Sequence, residues 1–152
     1  MRPFLDTNVL VYAATADDPH RQAVAQRLLA DLGLSNITIS TQVLAEAYNV
    51  LAHKKRWVVD DALQAVRGFK AMRIVVLSAD AVLAALDLAA RQRLSTWDAM
   101  VIHAALEAGC DTLFSEDLQN GRRFGALQVV NPFLLAAHEP GPGAYATAPP
   151  SP

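Results

Sequence analysis

At 152 residues, the chain has the length of one domain with a single core, and two independent domains are not expected. Hydrophobic residues make up 53% of it and charged residues 18%, which argues against general disorder, while no apolar run reaches the ~18 residues of a membrane-spanning helix. The net charge of −2 argues against a tight nucleic-acid binder of the basic-patch type.

Five short runs of β-branched or apolar residues have the composition of buried strands. They span residues 3–5, 37–39, 74–77, 112–114 and 127–130. Longer segments with helical periodicity separate them. Because parallel neighbours need a crossover, usually a helix, the alternation predicts a three-layer α/β/α sandwich around a parallel sheet of about five strands.

The helical segments carry recognisable N-terminal signals. Asp18 followed by Pro19 predicts the start of the first assigned helix. The expected caps of the four later helices are Ser40 or Thr41, Asp60, Ser78 and Ser95. In the helix after Ser78, an apolar row repeats at helical spacing, formed by Leu83, Leu86 and Ala90.

The end of the chain differs from the rest. After Asn131 and Pro132 the alternation fades, and residues 139–152 are rich in Pro, Gly and Ala with little to bury. We therefore expect one domain over residues 1–138 and a tail over 139–152. The opening residues lack a signal-peptide core, and Cys110 is the only cysteine, so the expected location is the cytoplasm, without a membrane partner.

Four acidic residues are expected at one edge of the sheet. Asp6 follows the first strand directly, and Asp117 follows the fourth. Asp98 lies in the first turn of the helix before the fourth strand, and Glu46 in the second turn of the helix after the second strand. Because the carboxyl ends of parallel strands share one edge, where ligands bind, the four carboxylates are expected to converge.

Such crowding has a chemical consequence. Ionised carboxylates within a few ångströms repel one another unless a cation neutralises them. Oxygen ligands without cysteine or histidine suit Mg²⁺ or Mn²⁺ better than zinc. These ions activate water and stabilise charge on a phosphodiester under attack, so the pattern predicts a metal-dependent site that acts on phosphate esters.

Each acid also has a purely structural interpretation. Asp6 could cap a following helix, and Asp98 fits an S-x-x-D capping box. Glu46 could be an ordinary border residue and Asp117 a turn residue, with adjacent Glu116 an alternative for the same role. Each acid alone is weak evidence for a functional site. The expected position of all four at one edge of the sheet favours a functional site over four separate structural roles.

Five short motifs occur in a distinctive order and spacing. They are FLDTNVLVY, AEAYNVL, STWDAMVIHAALEAGC, LFSED and a late VVNPF. Together they resemble the PIN domain, specifically the VapC type of toxin ribonuclease, over roughly residues 3–133. The resemblance implies an α/β/α sandwich, acids that bind Mg²⁺ or Mn²⁺, and RNA cleavage by the toxin of a type II toxin–antitoxin pair.

The resemblance also implies roles for individual residues. The four catalytic acids match Asp6, Glu46, Asp98 and Asp117. From the strand-end geometry, we predict that Asp6 and Asp98 bind the metal most directly and Asp117 next. Glu46 is predicted either to bind the metal through water or to orient the attacking water. Thr7, Asn8 and Ser115 match positions that orient the acids or contact the metal's water.

Partners follow from the same resemblance and from the charge distribution. A cognate antitoxin that blocks the acidic groove and a homodimer are implied. Removing the four acids changes the net charge from −2 to +2, so the rest of the chain is mildly basic. The candidate phosphate contacts are Lys54, Lys55, Arg56, Arg91, Arg93, Arg122 and Arg123.

Other functions remain open at this point. A haloacid dehalogenase-like phosphatase also has Asp after its first strand but needs a second Asp two residues on, where Asn8 stands. A receiver-type signalling domain needs an acidic pair near that strand, and only one acid is present. A PIN-like module that binds RNA or protein without cleavage is expected when one acid is lost, and all four are present.

Overall fold

A computed structural model describes residues 1–134 and shows one sheet of six strands. The strands are β1 (Pro3–Leu5), β2 (Thr38–Ser40), β3 (Arg73–Val75), β4 (Thr112–Phe114), β5 (Arg123–Phe124) and β6 (Leu127–Val130). Their order is β3-β2-β1-β4-β6-β5. All neighbouring pairs are parallel except the terminal β5–β6 pair.

Six α-helices connect the strands and cover both faces of the sheet, so the expected α/β/α sandwich is confirmed. They are α1 (Thr7–Ala14), α2 (Pro19–Leu32), α3 (Thr41–Asn49), α4 (Val59–Gly68), α5 (Ala79–Gln92) and α6 (Thr96–Glu107). A π-helical turn (Val50–Lys54) extends α3, and short 3₁₀ turns span Leu34–Asn36 and Phe69–Ala71.

The core lies around the two central strands. Phe4 and Leu5 of β1 pair in register with Leu113 and Phe114 of β4, and all four side chains are fully buried. Continuous burial without alternation is typical of a parallel strand covered by helices on both faces. The central strands therefore hold their carboxyl ends, and the residues that follow, in fixed positions.

Most of the predicted helix starts are confirmed. The side chains of Asp18, Ser40, Ser78 and Ser95 each accept a backbone N–H bond of the following turn, so Ser40 rather than Thr41 is the cap of α3. The prediction for Asp60 is wrong. Helix α4 begins at Val59, and Asp60 lies exposed in its first turn, where a negative charge favours the helix dipole.

Helix α1 and strand β5 are among the elements that were not predicted from the sequence. Helix α1 carries TNVLVYAA, which lacks the polar face of an amphipathic helix because much of it is buried. Strand β5 has only two residues and pairs antiparallel with β6 across a tight turn at Gly125, whose φ is +58°. Such a positive φ suits glycine, but a two-residue strand is too short to show a period.

The apolar row of α5 is exposed rather than buried. Leu83 is 62% exposed and Leu86 41%, whereas Ala81 and Ala85 form the packed side of the helix. Small residues allow close approach to α6, where Ala99 is also fully buried. The spacing was therefore helical, as predicted, but the larger side chains face outward.

Two further expectations concern the C-terminal tail and membrane-spanning helices. The predicted tail over residues 139–152, and the end of the domain at 138, lie outside the described residues. Within residues 1–134, no helix has the length and apolar character to span a membrane.

Candidate active site

Asp6 lies at the junction of β1 and α1 and is only 5% exposed. One carboxylate oxygen accepts the backbone N–H of Thr7 at 2.8 Å, which caps α1. The other accepts the hydroxyl of Ser115 at 2.8 Å, from the residue that follows β4. Asp6 is therefore a helix cap, as its structural interpretation predicted, and it also contacts the neighbouring strand end.

Burial changes the acidity of this group. It raises the pKa of Asp6 to about 6, against the lowering effect of the hydrogen bonds from Ser115 and Thr7. The negative charges of Asp117 and Glu46 raise it further. A carboxyl group in such surroundings holds its charge only at a free-energy cost.

The loop after β4 is tied to the start of α1. The amide Nδ2 of Asn8 donates to Oδ2 of Asp117 at 3.0 Å and lies 3.5 Å from Oδ2 of Asp6. Oδ1 of Asn8 faces the backbone N–H of Glu116 at 3.4 Å, and the hydroxyl of Ser115 accepts the N–H of Asp117 at 3.2 Å. Asn8 thus sits between two of the predicted acids.

Glu46 reaches the same region from α3. Its Oε2 accepts the hydroxyl of Thr7 at 2.8 Å, and its Oε1 accepts the amide of Gln42 at 2.8 Å. The Gln42 amide also donates to the backbone carbonyl of Trp97 at 3.2 Å, which joins α3 to the first turn of α6. The Oε1 atom of Gln42 is buried without a hydrogen-bond partner in the described part of the chain.

Asp98 lies in that first turn of α6. Its backbone N–H donates to the capping hydroxyl of Ser95 at 3.1 Å, which is one of the two bonds that define a capping box. Partial burial raises the pKa of the Asp98 carboxyl, and the charges of Asp117 and Glu46 add to the rise, while the hydrogen bond with Ser95 opposes it. The structure therefore brings all four predicted acids into one electrostatically coupled group, together with Thr7, Asn8 and Ser115.

Glu116 has a different environment from Asp117. Its Oε1 accepts two hydrogen bonds from the guanidinium of Arg21, from Nε at 2.9 Å and Nη2 at 2.6 Å. Arg21 also pairs with Asp18 at 3.0 Å, and its guanidinium lies 5.5 Å from the ring centre of Tyr12. Sequence reasoning missed Arg21 because its partner is 95 residues away.

The donor set is compatible with a hard divalent cation. Among residues 1–134, no three His, Cys, Asp or Glu side chains are grouped closely enough to hold one ion by themselves. Mg²⁺ commonly keeps several waters and binds through one or two carboxylates. The crowded carboxylates supply that negative charge.

An open cleft of about 480 Å³ is lined by two of the four predicted acids, Glu46 and Asp117, but not by Asp6 or Asp98. Its lining combines carboxylates, apolar side chains and lysines. These side chains come from α1, from α3 and its π-helical turn, and from the loop after β4. The lining residues are Thr7, Asn8, Val11, Tyr12, Glu46, Asn49, Val50, Lys54, Lys55, Glu116 and Asp117. The volume lies within the usual range of ligand sites.

Comparisons with known proteins add independent findings. The family model described as PIN domain matches residues 4–123. VapC20 from Mycobacterium tuberculosis, described as a sarcin–ricin loop cleaving toxin, is similar with a TM-score of 0.63 and 23% identity, over 74% of this chain and 88% of that one. A search of curated proteins finds no match.

Two further solved structures have the same fold. VapBC2 from Rickettsia felis, bound to a promoter DNA fragment, gives a TM-score of 0.61 and 22% identity over 85% of this chain and 97% of that one. FitAB bound to an IR36 DNA fragment gives a TM-score of 0.66 and 20% identity, over 86% of this chain and 95% of that one. At these identities, the likeness shows a shared fold.

Proposed function

The chain belongs to the PIN domain family, and from that premise we propose that it is a divalent-metal-dependent ribonuclease of the VapC type, the toxin of a type II toxin–antitoxin pair. The observation that carries this proposal is that the charges of Asp117 and Glu46 act on both Asp6 and Asp98, and that burial raises the pKa of Asp6 to about 6. A buried acidic group held by a hydrogen-bond network is expensive for folding, and such groups concentrate at functional sites.

We assign the site residues as follows. Asp6 and Asp98 would bind the cation most directly, with Asp117 next. Glu46, fixed by Thr7 and Gln42, would bind through water or orient the attacking water. When bound, Mg²⁺ or Mn²⁺ would lower the pKa of water and stabilise charge on the phosphoryl oxygens.

The supporting residues would keep the acids in place. Ser115 donates to Asp6 and accepts the backbone N–H of Asp117, so one hydroxyl links two of the acids. Asn8 lies between the same two carboxylates and donates to one of them. Through these bonds the two strand ends would be held at a fixed separation when a phosphate enters.

The proposed partners are RNA, an antitoxin and a second copy of the chain. Likeness to VapBC2 and FitAB supports an antitoxin, which would cover the acidic cleft. The exposed Leu83 and Leu86 of α5 support a homodimer, since a row of large apolar side chains is stabilised when a partner covers it. Sedimentation of Leu83→Glu should then show a monomer, and a monomeric unaltered chain would contradict the homodimer.

A second candidate is a PIN-like module that binds RNA or protein without cleavage. The observation that favours it is that no three acidic, His or Cys side chains in the described part of the chain are preassembled around one ion position. Membership of the PIN family leaves the haloacid dehalogenase-like and receiver interpretations without support.

The proposal is tested by RNA cleavage with the purified chain. We expect cleavage with Mg²⁺ or Mn²⁺, none with a chelator, and a loss of at least about 100-fold in Asp6→Asn and in Asp98→Asn, because outer ligands alone are typically worth 10–100-fold. The matched control is Asp60→Asn, an exposed acid on α4, which should keep full activity. Full metal-dependent activity in either site variant would show the assignment to be wrong.

A further inference from the structure

Helix α3 does not stop where its α-helical hydrogen bonding ends. It continues through the π-helical turn Val50–Lys54, in which the backbone N–H of Lys55 donates to the carbonyl of Val50 at 2.9 Å, five residues back. A π-helical turn accommodates one more residue than an α-helical turn, and such turns are frequent at functional sites. This one lies against the cleft.

The wider turn changes which side chain faces the cleft. In an uninterrupted α-helix, residues seven apart share a side, so His53 would lie on the same side as Glu46. The extra residue moves that position to Lys54. The cleft is accordingly lined by Glu46, Asn49, Val50 and Lys54, whereas the ring of the exposed His53 lies 6.3 Å from Tyr48.

The cleft therefore has two ends of opposite charge. Glu46 and Asp117 lie at one end and two lysines from the π-helical turn and its exit at the other. The ammonium of Lys55 is paired with Asp17 at 2.5 Å, whereas the ammonium of Lys54 has no ion pair or hydrogen bond with any described residue. At a helical rise of 1.5 Å per residue, Lys54 lies about 12 Å along the axis from Glu46.

Resting on the proposed ribonuclease function, we propose that Lys54 binds a backbone phosphate of the RNA strand in the cleft, a short way along the strand from the phosphate at the acids. An ammonium group held by a flexible stem suits a phosphate as a point charge. The apolar Val11 and Val50 and the ring of Tyr12 also line this cleft, and a nucleoside would pack against them.

The test measures binding of single-stranded RNA in the Asp98→Asn background, in which cleavage is blocked, by fluorescence anisotropy at several salt concentrations. Lys54→Gln should weaken binding about tenfold, as expected for a hydrogen bond to a charged group. It should also reduce the slope of log affinity against log salt by about 0.7, the value for one lost contact to a single strand. Lys70→Gln, an exposed lysine outside the cleft, is the matched control and should change neither.

A charge-conserving swap tests the role of the π-helical turn. The double variant His53→Lys with Lys54→His keeps the composition but moves the ammonium away from the cleft. It should behave like Lys54→Gln. Binding equal to that of the parent would overturn the register on which the proposal depends.

Modified RNA locates the contact. Oligonucleotides with one neutral methylphosphonate linkage at a time should show one position that weakens binding to the parent protein but not to Lys54→Gln. Unchanged binding and salt slope in Lys54→Gln, or no such position, would overturn the proposal even if the unaltered chain cleaves RNA. Absence of cleavage by the unaltered chain would instead contradict the proposed function, so the two failures are distinguishable.

Discussion

At Asp6, helix capping and burial act on the same carboxyl group. The cap on α1 and the hydrogen bond from Ser115 favour the charged form, but burial outweighs them and leaves the pKa near 6. In the folded chain this group therefore binds its proton more tightly than in the unfolded chain, where its pKa is about 3.8. By linkage, folding stability must fall as pH rises between these two values.

We predict that Asp6→Asn stabilises the metal-free protein while it abolishes activity. A shift from 3.8 to about 6 corresponds to at most about 3 kcal/mol of unfolding free energy. The difference between Asp6→Asn and the unaltered chain should be smallest near pH 4, grow up to about pH 6 and stay constant above pH 7. Urea denaturation in chelator across this range measures it.

The control for this prediction is Asp111, whose pKa is shifted in the opposite direction from that of Asp6. Burial raises the pKa of Asp111, but hydrogen bonds from the Arg2 backbone N–H and the Thr112 hydroxyl more than compensate, so the net pKa is lowered. Asp111→Asn should therefore be less stable than the unaltered chain by a constant amount above about pH 4, and the difference should shrink as the pH falls below 4. An Asp6→Asn variant that loses stability in the same way would contradict the burial cost assigned to Asp6.

Arg21 determines the orientation of Glu116, the residue next to Asp117. Its two hydrogen bonds to Glu116 neutralise that carboxylate and turn it toward α2. The backbone N–H of Glu116 faces Asn8, so the pair also anchors the loop that carries Asp117. Arg21 is thus a positioning residue, and Glu116 is not equivalent to Asp117 in this structure.

We predict that Arg21→Ala lowers the kcat of RNA cleavage about 10-fold to 100-fold, the range for residues that orient ligands. Arg21→Lys should restore only part of it, because an ammonium cannot reproduce the forked hydrogen bonds. Arg27→Ala on the same helix, whose contact with Asp31 is a 3.8 Å surface pair, is the control. Adding Glu116→Gln to Arg21→Ala should recover activity, and no coupling between the two in a double-mutant cycle would refute the assignment.

At the scale of the element, helices α5 and α6 are both capped by a serine, but only one of them is at the proposed site. Ser95 caps α6 with its hydroxyl 3.1 Å from the N–H of Asp98, and Ser78 caps α5 with the same distance to the N–H of Ala81. Only α6 carries a proposed catalytic acid in its first turn. Comparing Ser95 with Ser78 therefore separates the contribution of a helix cap to folding stability from its contribution to the proposed catalytic site.

We predict that Ser95→Ala and Ser78→Ala each cost about 1 kcal/mol of stability, but that only Ser95→Ala lowers cleavage. Loss of the Ser95 hydroxyl removes the contact that opposes the rise in the pKa of Asp98, so the loss of activity should grow as the pH is lowered. Chemical denaturation, and cleavage rates across a pH series, measure the two effects. Equal cleavage by the two variants would contradict the role of the cap.

The helix caps show what local patterns predict and where they stop. Ser40, Ser78 and Ser95 were predicted because a cap depends on a few adjacent residues. Helix α1 was missed because its burial removes the polar face that periodicity detects, and the π-helical turn because VLAHK has the composition of an ordinary helix end. Both depend on packing against distant parts of the chain.

At the scale of the whole molecule, topology explains why the acids were predictable as a group. Strands β1 and β4 are parallel neighbours, so Asp6 and Asp117 had to end at one edge, and the crossovers place Glu46 and Asp98 there too. Their contacts were not predictable. The bonds of Glu46 to Thr7 and of Gln42 to Trp97 join residues 39 and 55 apart, which no local spacing encodes.

The central claim is that the carboxylates around Asp6 bind a divalent cation, and titration calorimetry with Mn²⁺ tests it most directly. At pH 6 we expect binding to the folded chain with an enthalpy that depends on the buffer, because the cation displaces a proton from Asp6, whose pKa is about 6. Binding should be lost in the Asp6→Asn, Asp98→Asn double variant. No binding by the folded unaltered chain, or equal binding by the double variant, would contradict the claim.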